Sequence, residues 1–83
     1  ARPGAAAVVE LSAEAEPVFE RLRAWRAATA KEQGVPAYVV FHDATLRQIA
    51  ADPPSTLDEL ARVNGVGEAK LARYGEQLLA ALG

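Results

Sequence analysis

Asn64-Gly65-Val66-Gly67 stands between two helical apolar patterns, and Lys70 and Arg73 follow close behind it. Two glycines one residue apart allow a tight turn. They also free backbone N–H groups at the mouth of the helix that follows, where an anion such as a phosphate oxygen can sit. Lys70 and Arg73 would bring cations to that helix, while Glu68 sets a carboxylate at its mouth. The chemistry is phosphate contact rather than bond-making. This Gly-x-Gly lacks the third glycine and the preceding strand of a dinucleotide-binding turn, and its spacing is not that of a nucleoside-triphosphate loop.

The remaining polar residues add no catalytic constellation. His42 is the sole histidine and has no partner in a catalytic pattern, so a helix cap or a surface imidazole accounts for it. Ser12 and Ser55 sit in helix-terminus contexts, and Asp58-Glu59 is explained by capping and the helix dipole. There is no cysteine, which excludes disulfides and thiolate metal sites, and a lone histidine builds no metal cage. Neither an enzyme nor a cofactor is expected.

A second kind of contact is stacking. Tyr38 follows Pro36 in a loop-like stretch, where its ring is either buried or offered to a base, and both readings stand. Single-strand-binding faces combine such rings with a modest basic groove. The net charge of −2 argues against strong nonspecific nucleic-acid binding, which depends on Lys and Arg neutralising phosphates. Residues 17–35 hold Arg21, Arg23, Arg26 and Lys31 against Glu20 and Glu32. A basic face would therefore involve the first helix, and it would be small.

Eighty-three residues suffice for one domain. Half of them are hydrophobic, but many of these are alanine, so the core must rest on few large side chains. The expected members are Val18, Phe19, Leu22, Trp25, Tyr38, Val40, Phe41, Leu46, Ile49, Leu57, Leu60, Val66, Leu71, Tyr74, Leu78 and Leu82. Residues 1–11, with Pro3-Gly4 and a run of alanines, read as a linker or the edge of a fragment cut from something longer. The domain is expected over residues 12–83. No apolar run approaches the roughly 20 residues of a membrane span, and no signal-peptide pattern opens the chain. A soluble intracellular domain is expected.

Four helices are legible. The first is expected from about residue 16 or 17, with Pro17 in its opening turn, to Gln33, ended by Gly34. Its apolar arc holds Val18, Phe19, Leu22, Trp25, Thr29 and Ala30. Arg26 falls inside that arc, either as a partly buried arginine paired with a carboxylate, for which Asp43 is the candidate, or in direct contact with DNA. Pro36 forces extended geometry on Val35. Tyr38–Phe41 is expected to be irregular or 3₁₀, with Val40 and Phe41 plugging the core. His42 and Asp43 open a second helix carrying Leu46, Ile49 and Ala50, which Asp52-Pro53-Pro54 breaks. Thr56-Leu57-Asp58-Glu59 is a capping box that starts a third, short helix at Leu57. The last helix begins near Gly67 and carries Leu71, Tyr74, Leu78 and Leu82 on one stripe, with Lys70 and Arg73 on the opposite side. Gly75 shares the stripe, which implies the close approach of another backbone.

Three motifs in order now point to a family: Phe19-Glu-Arg-Leu-Arg-Ala-Trp-Arg, Val35-Pro-Ala-Tyr-Val-Val-Phe-His-Asp-Ala-Thr-Leu-Arg, and Asn64-Gly-Val-Gly-Glu-Ala-Lys-Leu-Ala-Arg-Tyr-Gly. Over about residues 16–82 the chain closely resembles the HRDC domain, the helicase-and-RNase-D C-terminal module, and is most similar to that of bacterial RecQ-type DNA helicases. The resemblance implies an all-α, SAM-like bundle of about five short helices with a helix–hairpin–helix-like turn. It also implies a non-catalytic accessory role, in which weak binding of single-stranded or branched DNA tunes the substrate specificity of a helicase. Tyr38 matches the aromatic beside the proline-containing loop, and Lys70 and Arg73 match the basic positions of the glycine motif. With Arg23, and with Gly65 and Gly67 for a backbone contact, they form the expected DNA-binding set. The implied partners are DNA and the helicase core of the same polypeptide. The isolated domain is expected to be a monomer, in the cytoplasm and associated with the nucleoid. Two other roles are kept alongside: a regulatory module docking on the helicase core with little DNA binding, or the accessory domain of a ribonuclease D-type nuclease.

Overall fold

The computed structural model describes residues 11–83. Five helices follow in chain order: α1 (Ala15–Gln33), α2 (Ala37–Val40), α3 (Asp43–Ala51), α4 (Leu57–Ala61) and α5 (Glu68–Leu82). No strand occurs among the described residues. The all-α reading and the five-helix bundle are both borne out. The linker expected over residues 1–11 lies outside the described residues except for Leu11, which packs half-buried against the core.

Local chemistry accounts for the helix ends. The Ser12 hydroxyl accepts from the Ala15 N–H at 3.2 Å, and its carbonyl accepts from Ala15 and Glu16 at 3.1 Å. α1 therefore starts at Ala15, slightly ahead of the start expected from Pro17. Pro17 forfeits nothing there, because the first N–H groups of a helix have no helical partner. At the other end Gly34 is left-handed (φ 69°, ψ 34°). Its N–H donates to the Lys31 carbonyl at 3.2 Å and that of Val35 to the Ala30 carbonyl at 3.0 Å, the paired bonds of a Schellman cap. At α4 the Thr56 hydroxyl accepts from the Glu59 N–H at 3.1 Å. The Glu59 carboxylate reaches back to the Ser55 N–H at 2.8 Å, one residue earlier than the usual box.

The core forms where α1 packs against α2, α3 and α5, and where α5 also packs against α4. Phe41, Leu22, Leu46, Ile49, Leu60, Leu78 and Val40 are fully buried, each contributing about 1.5–3 kcal/mol by burial. Trp25, Phe41 and Tyr74 form an aromatic cluster with ring centroids 5.8–6.1 Å apart. The Tyr74 hydroxyl donates to Gln33 Oε1 at 2.8 Å, which ties α5 to the C-terminal end of α1.

Several expectations need correction. Tyr38 and Leu57 are not core: they are 61% and 37% exposed. Each lies on a helix of only one turn or so, which buries one residue, Val40 in α2 and Leu60 in α4. Val18, Trp25, Leu71 and Leu82 pack at the rim, while Ala15, Ala30 and Ala50 are buried. The 38–41 stretch is a turn of α-helix running into an extended Phe41, rather than irregular. Gly75 does meet a close neighbour, but it is a side chain and not a backbone: a Cβ there would lie 2.7 Å from Leu57 Cδ2.

Candidate nucleic-acid interface

Tyr38 is presented by an elbow. Pro36 is extended (φ −63°, ψ 152°), the one-turn α2 follows, and Phe41 is extended again (φ −153°, ψ 146°). Val40 and Phe41 point into the core, so the two residues between them and Ala37, Tyr38 and Val39, are left outside. The Tyr38 ring lies 6.1 Å from that of His42, with their planes 22° apart. A preformed, exposed aromatic pair of this kind offers a π-face to a third ring.

Lys70 meets the elbow from its buried side, through Phe41. It sits in the first turn of α5, half-buried, with Nζ 5.3 Å from the centroid of the Phe41 ring. The lysine expected on the side opposite the apolar stripe is thus partly folded down onto an aromatic, where stem packing and cation–π attraction hold it. No ion pair to Lys70 occurs among the described residues.

The other expected site residues are more scattered. Arg73 is exposed on α5, 5.7 Å from the Tyr74 ring, and shares a shallow depression with Leu57, Leu71, Glu68 and Glu76. Arg23 is exposed and pairs with Glu20 at 3.4 Å. It lies 5.7 Å from the Phe19 ring, which Arg47 also approaches, at 5.0 Å. The contacts therefore group Arg23 with Arg47 on α1 and α3 rather than with Tyr38 or Lys70. Sequence reasoning passed over Arg47 because a single arginine on a short helix carries no signal.

The glycine turn is built for rigidity. Gly65 has φ +96°, which side-chain-bearing residues rarely adopt, and a Cβ there would collide with the Thr45 hydroxyl. That hydroxyl is placed 3.5 Å from the Asn64 carbonyl, a weak donor contact. Gly67 is the extended N-cap of α5 (φ −82°, ψ 173°) and, as a glycine, has no side chain to cap this mouth. Its backbone can meet an anion, although Glu68 in the first turn already supplies negative charge to the dipole. Thr45, buried beneath the turn, is a residue that periodicity alone did not single out.

Arg26 resolves in favour of the structural alternative. Its side chain is 11% exposed and pairs with Asp43 Oδ1 at 2.6 Å, while Nη1 also donates to the Phe41 carbonyl at 2.9 Å. Among the described residues no group of His, Cys, Asp and Glu could hold a metal ion. No helix among them is long and apolar enough to cross a membrane.

Comparisons with known proteins bear on the family and the fold. The family model of the HRDC domain matches residues 15–82. The chain is 48% identical over 66 residues to the ATP-dependent DNA helicase RecQ of Bacillus subtilis, covering 80% of this chain and 11% of that protein. It is 47% identical over 64 residues to the ATP-dependent DNA helicase UvrD2 of Mycobacterium bovis, covering 77% of this chain and 9% of that protein. The chain thus spans about a tenth of the length of these curated relatives. A solved structure, the D. radiodurans RecQ HRDC domain 3, superposes with a TM-score of 0.78 at 46% identity, covering 86% of this chain and 92% of that one. With a family model matched over nearly the whole described length and the same fold in a solved relative, the chain belongs to the HRDC domain family.

Proposed function

We propose that this HRDC domain is a non-catalytic accessory module of a RecQ-like DNA helicase, acting in the cytoplasm on nucleoid DNA. In this reading it binds single-stranded or branched DNA weakly and so biases which substrates the helicase engages. The observation that carries the reading is the elbow: Tyr38 is 61% exposed, pairs with His42, and lies three residues from the Phe41 ring on which Lys70 rests. A base stacks on the ring while the ammonium meets the neighbouring phosphate. Arg73 and the Gly65–Gly67 backbone extend the path along α5, and Arg23 is a peripheral contact. With few cations, affinity is low and salt-sensitive, each single-strand phosphate contact adding about 0.7 to the slope of log K against log salt.

Titration of the 83-residue chain with fluorescent single-stranded oligonucleotides at low and physiological salt tests this. Saturable low-salt binding that weakens with salt and with Tyr38→Ala is expected. Unsaturable binding indifferent to Tyr38→Ala would sink the reading. A second reading, docking on the helicase core with little DNA binding, draws on Val39, which is 43% exposed beside Tyr38 and adds apolar surface to the same elbow. It expects Tyr38 and Val39 to be protected by added helicase core and untouched by DNA.

A further inference from the structure

The elbow that presents Tyr38 has little to hold its shape. α2 is four residues long, far below the length at which a helix persists by its own hydrogen bonds. Its local bonds are Val39 N–H to the Pro36 carbonyl at 3.0 Å and Phe41 N–H to the Ala37 carbonyl at 3.3 Å. Phe41 itself is buried to 1% exposure, and its carbonyl lies outside the ladders of both α2 and α3. A buried carbonyl in that position needs a donor from elsewhere.

Arg26 supplies it from the middle of α1. One nitrogen, Nη1, donates to the Phe41 carbonyl and pairs with the Asp43 carboxylate. It therefore grips the last residue of the elbow and the first residue of α3 together. The arrangement is one-sided: the arginine is almost fully covered while Asp43 is 60% exposed, and Arg26 Nε is buried with no partner among the described residues. An arginine serving only to fill the core would not need its terminus at a joint between two helices. We propose that Arg26 is a positioning residue that fixes the orientation of the α2–α3 elbow and thereby holds Tyr38 outward. The inference rests on the proposed role of Tyr38 in DNA binding, and predicts that Arg26 acts on binding through Tyr38 without touching DNA.

The test uses Arg26→Gln, which is too short to make both contacts, and Asp43→Asn, which deletes only the exposed carboxylate and carries the test should the first variant fail to fold. Native-state hydrogen exchange of the 83-residue chain is read at the Val39 and Phe41 amides and at Leu78 in α5. Exchange at the elbow faster by about tenfold, with Leu78 changed less than about twofold, is expected for losing a charge-assisted hydrogen bond that supports only this segment. A rise spread equally to Leu78, or no rise at the elbow, overturns the proposal. Single-strand affinity of Arg26→Gln, Tyr38→Ala and the double variant gives the second readout. The double variant binding no more weakly than Tyr38→Ala is expected, and fully multiplicative losses overturn the proposal. If wild type and Tyr38→Ala bind alike, the DNA-binding reading fails, and hydrogen exchange alone then decides the role of Arg26.

Discussion

The elbow at Pro36–Asp43 and the glycine turn at Asn64–Gly67 both join helices, but different means hold them. In the turn, the backbone of Gly65 sets the hand at φ +96°, and Thr45 of α3 seats it from below. The elbow contains no residue of positive φ and is held by tertiary contacts, its own Val40 and Phe41 sunk in the core and Arg26 of α1 on the Phe41 carbonyl. The turn offers an uncapped helix mouth with a carboxylate in its first turn. The elbow offers an exposed aromatic pair, and a cation packs on its buried Phe41. A motif that looks like a binding site in one dimension is here a constrained turn, while a short apolar stretch that looks like core leaves an aromatic ring exposed, the one proposed above to meet DNA.

Substitutions that act on only one of the two joints sharpen this contrast. The largest effect is expected at Gly65→Ala, which forces a side chain into positive φ and displaces Thr45. A loss of about 2–3 kcal/mol is expected, read as a melting temperature lower by about 10–20 °C. An unchanged melting curve would show that the turn is not the rigid joint described. Tyr38→Ala comes next, with the reverse signature. Single-strand affinity should fall by about 1–3 kcal/mol, the loss typical of a stacked base, while stability stays within about 0.5 kcal/mol, as for other exposed sites. A large drop in stability would mean that Tyr38 is core after all.

Lys70→Ala tests whether the two regions share one DNA path. Affinity should fall a few-fold, and the salt dependence should lose about 0.7 of slope, one phosphate's worth on a single strand. Loss of affinity with an unchanged slope would reassign Lys70 to packing on Phe41. Gly75→Ala should do least. A Cβ there presses on Leu57 Cδ2, the tip of a partly exposed side chain that can swing away. The gain in helix propensity of about 1 kcal/mol offsets that shift, so chemical denaturation should place the variant within about 1 kcal/mol of the parent. A penalty as large as that of Gly65→Ala would mean that Leu57 is pinned, contrary to its exposure.

Much of the fold was legible in the chain because its signals are local. The Thr56–Glu59 cap, the Gly34 stop and the apolar period of α1 each involve residues within a turn of one another, and a helix end depends on little else. The pairing of Arg26 with Asp43 was also legible, since an arginine inside an apolar arc requires a carboxylate and few were within reach. The candidate interface was legible only as a set of residue types. That Lys70 packs on Phe41 while Arg23 belongs with Glu20, Phe19 and Arg47 depends on how α1, α3 and α5 are rotated against each other, and no single helix encodes that rotation.

By itself, then, the sequence determined that the chain is all helical, where α3 and α4 begin, and that it belongs among HRDC-like domains. Tertiary structure decided which side of α2 faces outward, that Lys70 lies down over Phe41, that Thr45 backs the glycine turn, and that Leu57 rather than a backbone meets Gly75. The physical reason is one of range. Capping and periodicity are set by neighbours a few residues apart, whereas exposure and side-chain pairing are set by which buried plugs, here Val40 and Phe41, the rest of the core accepts.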